Sequence, residues 1–77
     1  GQDPYTFAGE LHNLGVNLLG DAKPAEAEPP LRESLGLRER VAPAAWEAAH
    51  TRAALGRALL AQRKYAEAEP VLLAGYK

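Results

Sequence analysis

Two histidines (His12 and His50), three aliphatic hydroxyls (Thr6, Ser34 and Thr51) and two glutamate pairs (Glu26/Glu28 and Glu67/Glu69) are nearly all this chain offers for chemistry. Cysteine is absent, so neither a thiolate nucleophile nor a sulfur-ligated metal is available. The histidines are far apart in sequence and lack a third ligand at metal spacing, and no His-Glu-x-x-His run occurs. The glutamates of each pair stand two apart, so on a helix they point to different faces and make a poor acid/base couple. Both pairs also fall where a helix would begin, and a carboxylate in a first turn is stabilised by the helix dipole. None of the three hydroxyls has a histidine and a carboxylate within helical reach, and neither a Gly-x-Ser-x-Gly elbow nor a glycine-rich phosphate loop is present. No catalytic residue, cofactor site or metal site is expected, and the chain does not read as an enzyme.

Charge narrows the partners. Nine basic against ten acidic residues give a net charge of −1, which makes no electrostatic case for nucleic acid or an acidic membrane. Residues 1–41 carry four basic and seven acidic groups and residues 42–77 five and three, a polarity that could help units stack head to tail. No apolar run approaches the roughly 20 residues of a spanning helix, and no basic-then-apolar segment opens the chain. With cysteine absent as well, a cytoplasmic location is expected. Residues 1–77 read as one small domain, near the lower limit for a self-sufficient core.

The elements that carry these residues occur twice. Ala25-Glu26-Ala27-Glu28-Pro29 returns as Ala66-Glu67-Ala68-Glu69-Pro70, 41 positions later. Leu14-Gly15, Leu18-Leu19, Lys23 and Leu31 return at the same offset as Leu55-Gly56, Leu59-Leu60, Lys64 and Leu72. A fixed period of this size marks stacked supersecondary units, each too small to bury its own apolar face. Spacings of three and four predict helices over about 4–20, 24–41 and 44–62, and from about 65 onward. Leu11, Leu14 and Leu18 line the inward face of the first. Ala27, Leu31, Ser34, Leu35 and Arg38 line the second, and Ala48, Ala49, Leu55 and Leu59 the third. Asp3-Pro4 supplies an N-cap and a proline at the first helical position, Gly20-Asp21 ends the first helix, and Pro43 stops the second. No segment alternates as a strand does. The expected fold is all-α, two tandem helix-turn-helix hairpins, with repeat 1 over about 3–41 and repeat 2 over about 44–77. The last helix looks cut short, which suggests a piece of a longer array, and Gly1-Gln2 reads as an added end.

Two features break helix rules at matched places. Gly15 and Gly56 sit mid-helix, where glycine costs about 1 kcal/mol relative to alanine. Their recurrence predicts close approach, Gly15 facing residues 25–31 and Gly56 facing 66–72. Pro29 and Pro70 fall just past the first turn of each second helix, with Pro30 beside the first of them. A slight kink or a later helix start is expected there.

Leucine-glycine in a first helix, a short turn, then Lys-x-Ala-Glu-Ala-Glu-Pro at the start of a second resembles the tetratricopeptide repeat. The period and the Leu-Arg-Glu-Arg-Val ending look more like the longer variant of that family, seen in kinesin light chains and many bacterial signalling proteins. The resemblance covers essentially the whole chain. Leu11, Leu14, Gly15, Leu18, Ala27 and Leu31 match framework positions in the first unit, and Leu55, Gly56, Leu59, Ala68 and Leu72 in the second. Arg52 stands where an apolar residue is usual, so its stem would have to pack while its head reaches water.

That resemblance implies a short α-solenoid with right-handed superhelical stacking and a concave groove, lined by the first helix of each unit, for a peptide or partner helix. The groove positions would be Gly9, His12, Asn13, Val16 and Gly20, then His50, Ala53, Ala54, Arg57 and Ala61. Asn13 could pair with a peptide N–H and C=O together, and Arg57 could take a carboxylate. The family's carboxylate clamp needs a lysine and an asparagine one turn apart, and His12 and Val16 occupy those places, so it is not expected here. Each residue also has a plainer reading: Asn13 solvated, His12 and His50 as exposed or partly covered imidazoles, and Arg57 paired with a neighbouring glutamate. Trp46 and Tyr5 are expected to anchor helix starts against the preceding unit, and Tyr65 to pack at the start of the fourth helix. The function implied is a protein-binding module. Self-assembly through open repeat ends, and a regulatory appendage of a catalytic domain outside the chain, are the alternatives. Val71, Leu72, Leu73 and Tyr76 would form the self-association face, most simply as a two-fold dimer or an exchanged hairpin.

Overall fold

The computed structural model describes residues 3–42 and 44–74. Within them lie four helices and no strand: α1 (Pro4–Gly20), α2 (Pro24–Val41), α3 (Trp46–Ala61) and α4 (Tyr65–Ala74). α1 packs on α2 and α3 on α4, forming two hairpins, and α2 packs on α3 to join them. α1 also touches α3, whereas no Cα of α2 comes within 8 Å of α4 among the described residues. The backbone is a two-layer slab with extents of 35 × 28 × 14 Å, a short solenoid of two units.

The helix boundaries have local causes. Phe7 N–H donates to Asp3 O at 3.0 Å, which starts α1 at Pro4 as the Asp-Pro signal predicts. At its end Lys23 N–H donates to Leu18 O at 2.8 Å and Ala22 N–H to Leu19 O at 3.1 Å, the paired bonds of a Schellman cap. Forty-one residues on, Lys64 N–H donates to Leu59 O and Arg63 N–H to Leu60 O, each at 2.9 Å. The sequence repeat is thus reproduced in both Schellman bonds of each turn. The residues held in the left-handed region there are Ala22 (φ 59°) and Arg63 (φ 62°), neither of them glycine.

The expected bounds of α2 hold, without the later start allowed for it, and one boundary, the start of α3, is corrected. α2 does not start late: it opens at Pro24, with Ala27 N–H donating to Lys23 O at 3.0 Å, and it carries Pro29 and Pro30 inside. The carbonyls those prolines cannot satisfy belong to Ala25 and Glu26, which are exposed to water. α3 begins at Trp46 rather than near residue 44, because Ala45 takes the extended N-cap conformation (φ −73°, ψ 152°).

The core joins both units. Leu31, Leu55 and Leu59 are fully buried among Ala27, Ala54, Ala58 and Ala68, with Val16, Leu18, Leu19, Leu35, Val71 and Leu72 packed around them. Each fully buried leucine contributes about 1.5–3 kcal/mol over an exposed one. The alanines and glycines let the helices approach that closely. A Cβ on Gly15 would fall closer than 3.0 Å to Leu31 Cγ, and one on Gly56 would lie 2.9 Å from Leu72 Cγ. The predicted glycine contacts are present in both units.

Several side chains are not where the apolar pattern puts them. Leu14, read as inward, is 50% exposed, while its counterpart Leu55 is 1% exposed. The difference is neighbourhood: α3 has α2 against that side and α1 has no helix there. Arg52 does bury its stem, but its head pairs with Glu39 at 3.1 Å instead of reaching water. Trp46 and Tyr65, expected as anchors, are both largely exposed. In the proposed self-association segment Val71 and Leu72 are half-buried on the core and Leu73 is exposed, while Tyr76 lies outside the described residues.

Candidate partner-binding surface

α3 presents one open stripe. Trp46, His50, Ala53, Arg57 and Ala61 are exposed, at successive steps of four, three, four and four residues, which keeps them on a single side of a helix. The Trp46 and His50 rings lie 6.2 Å apart. On α1, Asn13, Asn17 and Gly20 are exposed, while Gly9 and Val16 are half-buried. Val16 packs on the core, and Arg38 lies beside Gly9. Two of the ten groove positions are corrected outright: Ala54 belongs to the buried cluster, and His12 is 6% exposed. Both turn into the seam between units, because α1 and α3 touch along that side.

That seam is a polar network the sequence did not reveal. His12 Nδ1 lies 3.1 Å from Thr51 Oγ1, across 39 residues of chain. Arg38 Nη1 donates to the same oxygen at 2.7 Å and to Glu47 O at 3.2 Å. Thr51 Oγ1 in turn donates to Glu47 O at 3.0 Å. A hydroxyl has one proton to give and two lone pairs. Since that proton goes to Glu47, Thr51 accepts from both Arg38 and His12, and the network assigns His12 the Nδ1–H tautomer. The His12 and His50 rings also meet, tilted by 53° with centres 4.7 Å apart. Burial, then Arg38 and His50, hold the His12 pKa below its ordinary value. The seam therefore brings a histidine to a hydroxyl from another helix, beyond any reach along one helix. Thr51 is 0% exposed and its proton is committed to a backbone carbonyl, so the pair positions helices.

The glutamates behave as structure. Glu28 accepts from Arg32 Nε at 2.7 Å, Gln62 Nε2 at 2.9 Å and Lys64 Nζ at 3.0 Å. It thereby ties α2 to the turn between α3 and α4, and Arg32 continues the chain of charge to Glu67 at 3.2 Å. These donors, Arg32 foremost, pull the Glu28 pKa down to about 2. Ser34, buried on α2, donates to Ala8 O at 2.7 Å and ties α2 to α1. Among the described residues no group of three or more His, Asp or Glu could hold a metal, and no helix is long and apolar enough to cross a membrane.

The signals that were legible were polar residues on apolar faces: Ser34 and Arg38 fall on the inward side of α2 by spacing alone. Thr51 carried no signal, since its counterpart at the repeat offset is Glu10. Trp46 was visible, but its exposure was not.

Neither a curated protein nor a solved structure shows significant similarity to this chain. The tetratricopeptide repeat family model matches residues 11–44, from the third turn of α1, through all of α2, to the linker before α3, and that stretch is similar to one tetratricopeptide repeat.

Proposed function

We propose that the chain is a protein–protein interaction module of tetratricopeptide type, holding an extended peptide or a partner helix along α1 and α3. The observation that carries this reading is the α3 stripe, in which Trp46 is 71% exposed one turn before His50, with Arg57 two turns further on. An exposed tryptophan and an exposed arginine on one stripe are residue types enriched at interface hot spots. The wedge of the slab supports the same side: the backbones of α1 and α3 approach within 8 Å, while those of α2 and α4 do not and are bridged by long side chains such as Arg32 and Glu67, so the two units lean toward the α1/α3 layer. Asn13 lies on that layer and can give and accept hydrogen bonds with a peptide backbone.

On this reading the second unit is also a tetratricopeptide repeat, since its turn and its glycine contact reproduce those of the first. The spacing of 41 supports reading both as the longer-repeat variant. The module does no chemistry of its own: its hydroxyl–imidazole pair is buried and committed to hydrogen bonds. The test is selection of binders from a random-peptide display library against the folded chain. Peptides should be enriched whose affinity falls at least about tenfold for Trp46→Ala or Arg57→Ala. Failure to enrich any peptide, or winners indifferent to both substitutions, would overturn the reading.

A further inference from the structure

We propose that copies of this chain associate head to tail. The outer face of α1 in one copy docks on the outer face of α3 and α4 in another, repeating between molecules the junction that joins the two units within one.

The chain supplies its own template. Inside the molecule the second unit buries Ala48 (0% exposed) and Leu55 (1%) where it meets the first, and Leu59 sits in the shared core. At the repeat offset their counterparts on α1 are Phe7 (37%), Leu14 (50%) and Leu18, all left at least partly open. The first unit meets the second with Leu19 packed on the core and with Leu31 at 0% exposure. Their counterparts are Leu60 (42%) and the half-buried Leu72, and beside them stands Leu73 (56%). Among the described residues, each half of a working junction is thus present on opposite sides of the two-unit stack with its apolar side chains at least partly open. The two ends differ, so the contact is heterologous and open-ended, not two-fold.

Charge agrees with the same register. The internal junction is bridged by Lys64 and Glu28 at 3.0 Å. One offset earlier and later these become Lys23 and Glu69, both exposed, at the ends that would meet. The halves also carry opposite net charge, four basic against seven acidic groups in residues 1–41 and five against three in 42–77. Arg57 in place of Val16, and Asp21 in place of Gln62, make the intermolecular junction more polar than the internal one. Association is therefore weaker than the covalent junction and rises with concentration.

The test is sedimentation velocity over a wide concentration range, with helicity of every variant checked by circular dichroism. The wild type should grow with concentration past the dimer. Leu14→Glu spoils one end and Leu60→Glu the other, and each alone should weaken association roughly tenfold or more. An equimolar mixture of the two should form a dimer and stop there, because one intact end remains on each variant. Lys23→Glu and Glu69→Lys should each weaken assembly, and the double variant should restore it. A wild type that stays monomeric, a mixture that stays monomeric, or a dimer unaffected by Leu14→Glu (two-fold pairing of the α3–α4 ends) would each overturn the proposal.

Discussion

Gly15 of α1 lies directly beneath Leu31 of α2, so close that any β-carbon on Gly15 would overlap the Leu31 side chain, itself fully buried. The contact explains a residue that local helix preference disfavours. Alanine on an open helix face would gain about 1 kcal/mol over glycine. Here the sign reverses, because the added methyl must displace a leucine that has nowhere to go. Gly15→Ala should destabilise by about 1–3 kcal/mol in chemical denaturation. Combining it with Leu31→Ala should cost less than the sum of the two single changes. Stabilisation by Gly15→Ala would place the glycine on the solvent side.

The turns make a prediction of opposite sign. Ala22 and Arg63 hold positive φ at the two Schellman caps, where side chains are disfavoured and glycine is at home. Ala22→Gly and Arg63→Gly should each raise stability by about 0.5–1 kcal/mol, read as a higher melting temperature. A loss in both would mean that the caps are not held in the left-handed region in solution.

These examples show what sequence could and could not deliver. The repeat offset, four helices and both glycine contacts follow from spacing, because they depend on residues within one hairpin. Exposure at the ends does not follow. Leu14 and Leu55 are the same residue at the same place in the repeat, and only the presence of α2 beside α3 buries the second. His12 and Trp46 were misplaced for a related reason: each depends on how α3 settles against the first unit, and periodicity along a helix says nothing about rotation between units. The candidate surface was therefore legible at Asn13, His50 and Arg57, but not at Trp46.

Acid should loosen the seam in two stages. The His12 pKa is lowered in the folded chain, so the unfolded chain binds the proton more readily. Stability from this group is intact above the ordinary value of 6.5 and declines as pH falls below it. Glu28, lowered from 4.5 to about 2, adds a second loss as pH falls through that window. Melting temperature against pH should show both declines, and His12→Gln should remove only the first. An unchanged upper decline in His12→Gln would assign it to another group.

Ser34 gives the cleanest test of the polar ties. Its hydroxyl is 0% exposed and donates to Ala8 O at 2.7 Å. Ser34→Ala changes volume little and removes the tie between α2 and α1 while Ala8 O keeps its helical donor within α1, at a cost of about 0.5–1.5 kcal/mol. Urea denaturation should show that loss with an unchanged slope. A neutral result would mean water reaches Ala8 O.

The proposed binding face is tested most directly by amide chemical-shift mapping of the labelled chain with a peptide taken from the display selection. Shifts should concentrate on the exposed positions of α1 and α3, around Asn13, Trp46, His50 and Arg57, and leave the outer surface of α2 quiet. Asn13→Ala and Arg57→Ala should weaken the titration while changing stability by less than about 0.5 kcal/mol, as exposed sites do. Perturbations confined to α2 and α4, or binding unchanged in both variants, would contradict the account.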